Sequence, residues 1–162
     1  RPFFHQTTHN CEPTMKTDHI LVPVDFSDNS LKAIDAALEM QKVFGGRVEL
    51  LYVLEPLIVT FGEALPADLP NDLERVTSAE AEMERLRGRY ALDLPLETSV
   101  LQGTAWDVVC EVAEKKNTGL IVITSHGYTG LKRFLLGSTA ERIVRHAHCP
   151  VLVVKLPAEA KK

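Results

Sequence analysis

Residues 20–28 read I-L-V-P-V-D-F-S-D. An apolar, mostly branched run ends at an aspartate, and Ser27 or Asp28 stands where the N-cap of a helix is expected. A continuous apolar run is typical of a strand covered on both faces, as in a parallel sheet. The stretch therefore predicts a buried strand that leads directly into a helix.

Four more predicted strands follow, most of them continuously apolar, and residues at helical spacing separate them. The predicted strands are Ile20–Val24, Val48–Leu54, Leu96–Leu101, Leu120–Thr124 and Val151–Val154. The helical stripes are Leu31, Ile34 and Leu38; Val76, Ala79, Met83, Leu86 and Tyr90; Ala105, Val109 and Val112; and Ala140, Ile143, Val144 and Ala147. Thr104 and Ser138 are further N-cap candidates. Alternating strands and helices predict an α/β domain with a parallel sheet.

Composition narrows the class of protein. The 162 residues are 45% hydrophobic and 25% charged, which is typical of one soluble globular domain. A formal charge of −4 gives no general attraction for nucleic acid or an anionic membrane. Cys11, Cys110 and Cys149 form neither a disulfide framework nor a zinc pattern, and we expect a reducing, cytoplasmic location.

The ends of the chain and one long connection differ in character from the rest. Residues 1–14 lack periodicity, and we interpret them as a leader or tag, with the domain at 15–157 and a tail at 158–162. Residues 55–67 form a long connection after the second strand. A lid, a partner-binding element and an ordinary insertion all remain open for it.

Residues 124–141, T-S-H-G-Y-T-G-L-K-R-F-L-L-G-S-T-A-E, are the segment best suited to bind an anion. Gly137, Ser138 and Thr139 open a helix, whose first N–H groups favour a phosphate. Ser138 and Glu141 also match an S-x-x-E capping box, which would satisfy the same N–H groups internally. The residues alone leave both interpretations open.

Asp25, at the carboxyl end of the first strand, is a second candidate binding residue. Its side chain could accept hydrogen bonds from ribose hydroxyls or an adenine amino group, or it could cap the first helix. The chain contains neither the P-loop nor the G-x-G-x-x-G motif that would identify other nucleotide folds.

Several segments, taken in order, resemble the universal stress protein family. They are V-P-V-D-F-S at 22–27, L-I-V-I-T-S-H-G at 120–127, nine residues leading to Gly137-Ser138, and A-E-R-I-V-R-H-A-H-C-P-V-L-V-V at 140–154. The resemblance covers residues 16–155. It implies a Rossmann-like open five-stranded sheet of order 3-2-1-4-5 with helices on both faces, and a ligand crevice at the switch point between strands one and four.

The resemblance also implies that the ligand is ATP or a related adenine nucleotide, ADP or AMP, with Mg²⁺ a candidate companion of ATP. Family members that bind ATP carry G-x-x-G, nine residues, then G-[ST]; here Thr124 replaces the first glycine. The implied contacts are Pro23, Val24 and Asp25 with adenine and ribose, Val53 with the base, and Gly127, Gly137, Ser138 and Thr139 with phosphates. Thr124 and His126 complete the candidate binding set.

Two functions fit this resemblance. The first is a stress-responsive regulatory module with little or no turnover; the second is a slow ATP hydrolase or self-phosphorylating enzyme that uses His126, Ser138 or Thr139. Asp25 is the only evident carboxylate near the crevice, which favours the first, because phosphoryl transfer needs groups that hold a metal and position the nucleophile. The fifth strand would lie at a sheet edge, and residues 150–155 are expected to pair with their own copy in a homodimer.

Overall fold

The computed structural model describes residues 18–57, 71–90, 95–125 and 136–155. Within these ranges the elements are β1 (His19–Val24), α1 (Asp28–Phe44), β2 (Arg47–Leu54), α2 (Asp72–Tyr90), β3 (Leu96–Gln102), α3 (Ala105–Lys115), β4 (Leu120–Thr124), α4 (Ser138–His146) and β5 (Val151–Val154). All five predicted strands are confirmed, and no end differs by more than one residue. The proposed leader, the tail and residues 58–67 of the long connection lie outside the described ranges.

All five strands form one parallel sheet of order β3-β2-β1-β4-β5, as the resemblance implied. β1 pairs with β2 from His19 to Val24, but its register with β4 covers only Ile20 and Leu21. Pro23 has no N–H to donate, and the pairing with β4 ends before it. Pairing between β1 and β4 is therefore confined to their amino-terminal halves.

Helices cover both faces of the sheet. Alternate residues of β1 point to opposite sides, so that Ile20 and Val22 pack with α1 and α2 while Leu21 packs with α3 and α4. This arrangement explains why the strand is apolar at consecutive positions. No helix in the described part of the chain is long and apolar enough to cross a membrane.

Helix ends follow the capping expectations at one site and depart from them at another. Ser27 is the N-cap of α1, and its Oγ accepts a hydrogen bond from the Ser30 N–H at 3.2 Å. In α4 the N-cap is Gly137, so Ser138 is the first helical residue and its predicted capping role is wrong.

The predicted apolar stripe of α4 holds only in part. Ala140 and Ile143 are buried, but Val144 is 46% exposed and Ala147 lies just beyond the end of the helix. The stripe is narrower than predicted because a nine-residue helix on the protein surface presents few positions to the sheet.

Candidate functional site

A cavity of about 580 Å³ opens at the carboxyl edge of the sheet, beyond the paired part of β1 and β4. Its volume lies within the range of roughly 300–1,000 Å³ that small-molecule sites occupy. Eight of the ten predicted binding residues line it: Pro23, Val24, Asp25, Val53, Thr124, Gly137, Ser138 and Thr139. The other two, His126 and Gly127, lie outside the described residues. The structure thus brings together segments that are a hundred residues apart in the sequence.

The floor of this carboxyl-edge cavity is apolar. Sheet residues that face α3 and α4 form one side of it, and residues of those helices form the other. They are Pro23, Leu51, Val53, Val109, Ile123 and Ile143. Such a floor suits a flat, weakly polar ring better than a phosphate, because a buried anion without partners is costly.

The turn after β1 forms part of the rim and is internally bonded. Asp25 Oδ1 accepts hydrogen bonds from the Ser27 N–H at 3.1 Å and the Ser27 hydroxyl at 2.5 Å. Phe26 has a φ of 61°, and its ring stacks on Tyr52 with 4.4 Å between centroids. The sequence left two roles open for Asp25, ligand binding and capping of α1. The structure shows that Ser27 caps α1 and that Asp25 holds Ser27 in place.

The amino terminus of α4 forms the opposite rim. Gly137 donates its N–H to the Ser125 carbonyl at 2.9 Å, and exposed Ser138 and Thr139 follow it. The predicted capping box is absent, because the helix begins at Ser138 itself, one residue too early for Ser138 to be its N-cap. The Glu141 carboxylate pairs instead with Arg145 at 2.8 Å. No described side chain caps this terminus, which leaves it suited to an anion.

Two glycines at this edge serve different purposes. At Gly103 the φ is +144°, and an added Cβ would lie 2.7 Å from Val108 Cγ2, so the fold itself requires glycine there. At Gly137 the φ is −60°, and the one described atom within 4 Å of an added Cβ is the Ser125 carbonyl oxygen, at 3.6 Å. The fold would therefore accept a Cβ at residue 137, and a side chain there would change the shape of the cavity.

Two charged residues on the β2 side of the cavity were missed by the sequence analysis. Glu55 follows β2 directly, and its Oε1 accepts a hydrogen bond from the Ala105 N–H at 2.9 Å. Arg75, from α2, donates to the Glu55 carbonyl at 2.8 Å and to Asp72 Oδ1 at 3.0 Å. Both line the cavity, so Asp25 is not its only carboxylate. The available signal was that Glu55 ends an apolar strand, as Asp25 does.

A second polar group lies at the opposite, amino-terminal edge of the sheet; we call it the amino-edge cluster. It consists of His19, Glu49, Ser99, Lys116 and Thr118. Both Glu49 oxygens are bound, by His19 Nε2 at 2.9 Å, Ser99 Oγ at 2.7 Å and Lys116 Nζ at 2.8 and 2.9 Å. Thr118 Oγ1 lies 2.9 Å from the other ring nitrogen of His19.

Glu49 is ionised although its side chain is only 1% exposed. Burial raises its pKa, but the hydrogen bonds from His19, Lys116 and Ser99, together with the charge of Lys116, outweigh burial and lower the pKa to about 2. Every atom of the carboxylate is satisfied within the protein, which indicates a structural role.

The sequence and the fold match known proteins over most of the chain. A model of the universal stress protein family matches residues 16–155. The chain is 39% identical over 142 residues to a universal stress protein of Methanocaldococcus jannaschii, covering 85% of this chain and 82% of that one.

Two solved structures extend the match to three dimensions. Universal stress protein UspA from Lactobacillus plantarum has a TM-score of 0.67 at 26% identity, covering 85% of this chain and 97% of that one. A universal stress protein family protein from Arabidopsis thaliana with AMP bound has a TM-score of 0.59 at 19% identity, covering 87% and 93%. The second likeness concerns the fold alone.

Proposed function

This chain belongs to the universal stress protein family, and we propose that it is a cytoplasmic regulatory module that binds an adenine nucleotide in the carboxyl-edge cavity with little or no turnover. One observation carries the proposal. The ends of β1, β2 and β4 and the amino terminus of α4, which are distant in sequence, line a single cavity of ligand size.

The two rims of the cavity give the nucleotide an orientation. Asp25 and Glu55 bring carboxylates to the β1 and β2 side, where they repel an anion and suit ribose hydroxyls or the adenine amino group. The uncapped terminus at Gly137 offers N–H groups to phosphates on the other side. The base then lies on the apolar floor beside Val53. Thr124, His126 and Gly127 complete the phosphate side in this proposal.

Thr124 bears on which nucleotide binds. Its side chain stands at the cavity in place of the glycine of the ATP-binding motif. A Cβ there narrows the approach of phosphates, while the hydroxyl can donate to one of them. We therefore include ATP, ADP and AMP, with Mg²⁺ accompanying ATP. The AMP-bound Arabidopsis protein has the same fold.

Calorimetry with ATP, ADP and AMP tests the proposal, together with mass spectrometry of small molecules released from the purified protein. We expect micromolar binding that Gly137→Val abolishes, because valine adds bulk to the cavity wall at a residue where an added Cβ makes only an ordinary contact with the described residues. The matched control is Gly88→Val, on α2, where an added Cβ meets nothing within 4 Å. Absence of binding of all three nucleotides to the unmodified protein at millimolar concentration would overturn the proposal.

Slow turnover is the second part of the proposal. Arg75 is the only Lys or Arg among the described lining residues, and it is already held by Asp72 and the Glu55 carbonyl, so it is not available to stabilise the charge of a transferring phosphoryl group. Hydrolysis at the kinase scale of about 1–100 per second would contradict the proposal. Phosphate on Ser138 or Thr139 after incubation with ATP, located by peptide mass spectrometry, would support self-phosphorylation instead.

We also propose a homodimer through residues 150–155. β5 is a sheet edge, and the carbonyls of Pro150 and Val154 face β4, where they accept from Ile121 and Ser125. Val153 therefore directs its N–H to the open side, where a second copy can pair with it. Light scattering should give twice 18.0 kDa for the unmodified chain and 18.0 kDa for Val153→Pro. A concentration-independent monomer of the unmodified chain would reject the dimer.

A further inference from the structure

We propose that Glu55 recognises the ribose of the bound nucleotide. Its carboxylate accepts a hydrogen bond from the 2′ or 3′ hydroxyl, and Arg75 positions Glu55. This inference rests on the nucleotide binding proposed above and extends it to specificity for ribose over sugars that lack these hydroxyls.

The place of Glu55 in the sheet is the first argument. Glu55 directly follows β2, the strand beside β1, and it lines the cavity on the same edge as Asp25. An acidic residue near the end of the second strand is the group that binds a ribose hydroxyl in dinucleotide-binding sheets. The position therefore suits a carboxylate that receives a sugar hydroxyl.

The remaining hydrogen-bonding capacity of the carboxylate is the second argument. Oε1 accepts from the Ala105 N–H at 2.9 Å, and Oε2 has no hydrogen bond to any of the described residues. An ionised carboxylate has about four acceptor positions, so Glu55 retains room for a hydroxyl donor. Asp25, by comparison, already accepts two hydrogen bonds from Ser27 at its Oδ1.

Preorganisation is the third argument. Arg75 Nη2 donates to the backbone carbonyl of Glu55 at 2.8 Å, and Nη1 is held by Asp72 at 3.0 Å. The Arg75 side chain is only 15% exposed, and the Gly103 N–H fixes the carbonyl of the preceding Leu54 at 3.1 Å. Glu55 is thus anchored through its side chain, its own carbonyl and its neighbour, which lowers the entropic cost of binding.

The test compares the tightest binder among ATP, ADP and AMP with its 2′,3′-dideoxy counterpart by calorimetry. For the unmodified protein we expect the dideoxy form to bind about tenfold more weakly, because a hydrogen bond to a charged group is lost. In Glu55→Ala the ratio of the two dissociation constants should fall to about one. The matched control is Glu111→Ala, which removes a carboxylate on α3 that pairs with Lys115 and does not line the cavity.

The ratio of the two dissociation constants distinguishes recognition of the ribose by Glu55 from a purely structural role. Loss of the contact with Ala105 weakens the start of α3 and would reduce the affinity for both ligands equally, leaving the ratio unchanged. Glu55→Gln keeps an acceptor for that N–H and should give an intermediate ratio, which decides the matter if the alanine variant does not fold. Arg75→Ala should also lower the ratio, though less than Glu55→Ala does, since it removes one of the three anchors of Glu55.

Failure of the proposed role of Glu55 and failure of nucleotide binding give different results. A ratio near ten that persists in Glu55→Ala, or a ratio near one in the unmodified protein, overturns the role of Glu55 while nucleotide binding stands. Absence of binding by any of the three nucleotides removes both the proposed function and this inference.

Discussion

At the amino edge of the sheet, polar side chains bond to one another, whereas at the carboxyl edge they surround an open cavity. Glu49 has both oxygens bound and is 1% exposed, while Glu55 is exposed and has one oxygen engaged. A buried polar group destabilises the fold unless it has hydrogen-bond partners within the protein. A polar group at the rim of a cavity can bond to water until a ligand binds. The comparison predicts that changes at the first edge alter stability and changes at the second alter binding.

The largest expected effect is that of Glu49→Ala. Removing the carboxylate leaves buried His19 and half-buried Ser99 without their shared acceptor, and we expect the free energy of unfolding to fall by about 3–5 kcal/mol. Urea unfolding measures this loss. The control is Glu97→Ala, an exposed partner of Arg47 at 3.7 Å, which should change stability by less than about 1 kcal/mol. Equal effects of the two variants would contradict the assigned role of the amino-edge cluster.

The pH dependence of stability follows from the same carboxylate. The pKa of Glu49 is lowered from 4.5 to about 2 in the folded state, so its stabilisation is present above pH 4.5 and is lost as the pH falls towards 2. The shift corresponds to roughly 3 kcal/mol at neutral pH. Unfolding free energies between pH 7 and 3 should decline less steeply for Glu49→Gln than for the unmodified chain; parallel curves would show that Glu49 has an ordinary pKa.

Gly103→Ala and Gly137→Ala sharpen the comparison within the carboxyl edge. Alanine at residue 103 must adopt a φ of +144° against Val108, and we expect a loss of about 1–3 kcal/mol in the free energy of unfolding. Alanine at residue 137 meets only ordinary contacts among the described residues, so it should cost no more than about 1 kcal/mol, the loss expected where alanine replaces glycine at an N-cap, while weakening nucleotide binding. Thermal unfolding and calorimetry on both variants check this, and a stability loss at residue 137 as large as that at residue 103 would refute it.

The smallest expected effect is that of Ser27→Ala, which touches both properties. The change removes the N-cap bond to Ser30 and should cost about 1 kcal/mol of stability. It also removes the hydroxyl that donates to Asp25 Oδ1, while the N–H of residue 27 still donates to that oxygen, and we expect a change in nucleotide affinity. Thr104→Ala is the matched control, because Thr104 is the N-cap of α3 without a side-chain hydrogen bond. A similar loss in both variants would mean that the Ser27 cap does not contribute.

The sequence was sufficient for most of the fold. Apolar runs located most of the described strands, because strands covered on both faces need them, while β3, L-E-T-S-V-L-Q, is mixed and lies at the sheet edge. The family resemblance supplied the strand order. Capping was harder to predict. Ser138 and Glu141 have the right spacing for a box, yet the helix starts after Gly137, whose N–H is held by the Ser125 carbonyl, a contact between residues twelve apart that local spacing does not reveal.

The cavity was predictable only where its residues belong to a motif. Asp25, Gly137 and Ser138 stand in recognisable segments, but Glu55 and Arg75 meet through contacts between different elements that no local pattern encodes. The amino-edge cluster was missed for the same reason. A glutamate within the apolar second strand was its only visible sign, and its partners lie 30 to 67 residues away.

The contact between His19 and Thr118 also bears on how the chain folds. These residues are 99 positions apart, and the contact forms only when β4 docks beside β1. Pairing of β1 with β2 closes only the short loop that contains α1, so it can form early. Pairing of β1 with β4 closes a loop of about a hundred residues, which costs more conformational entropy. We therefore expect β4 and β5 to join a preformed β3-β2-β1 half late in folding. A chain interrupted before that step would expose the apolar side of β1 where β4 belongs, so the last event of folding is also the one that conceals the surface most prone to aggregate.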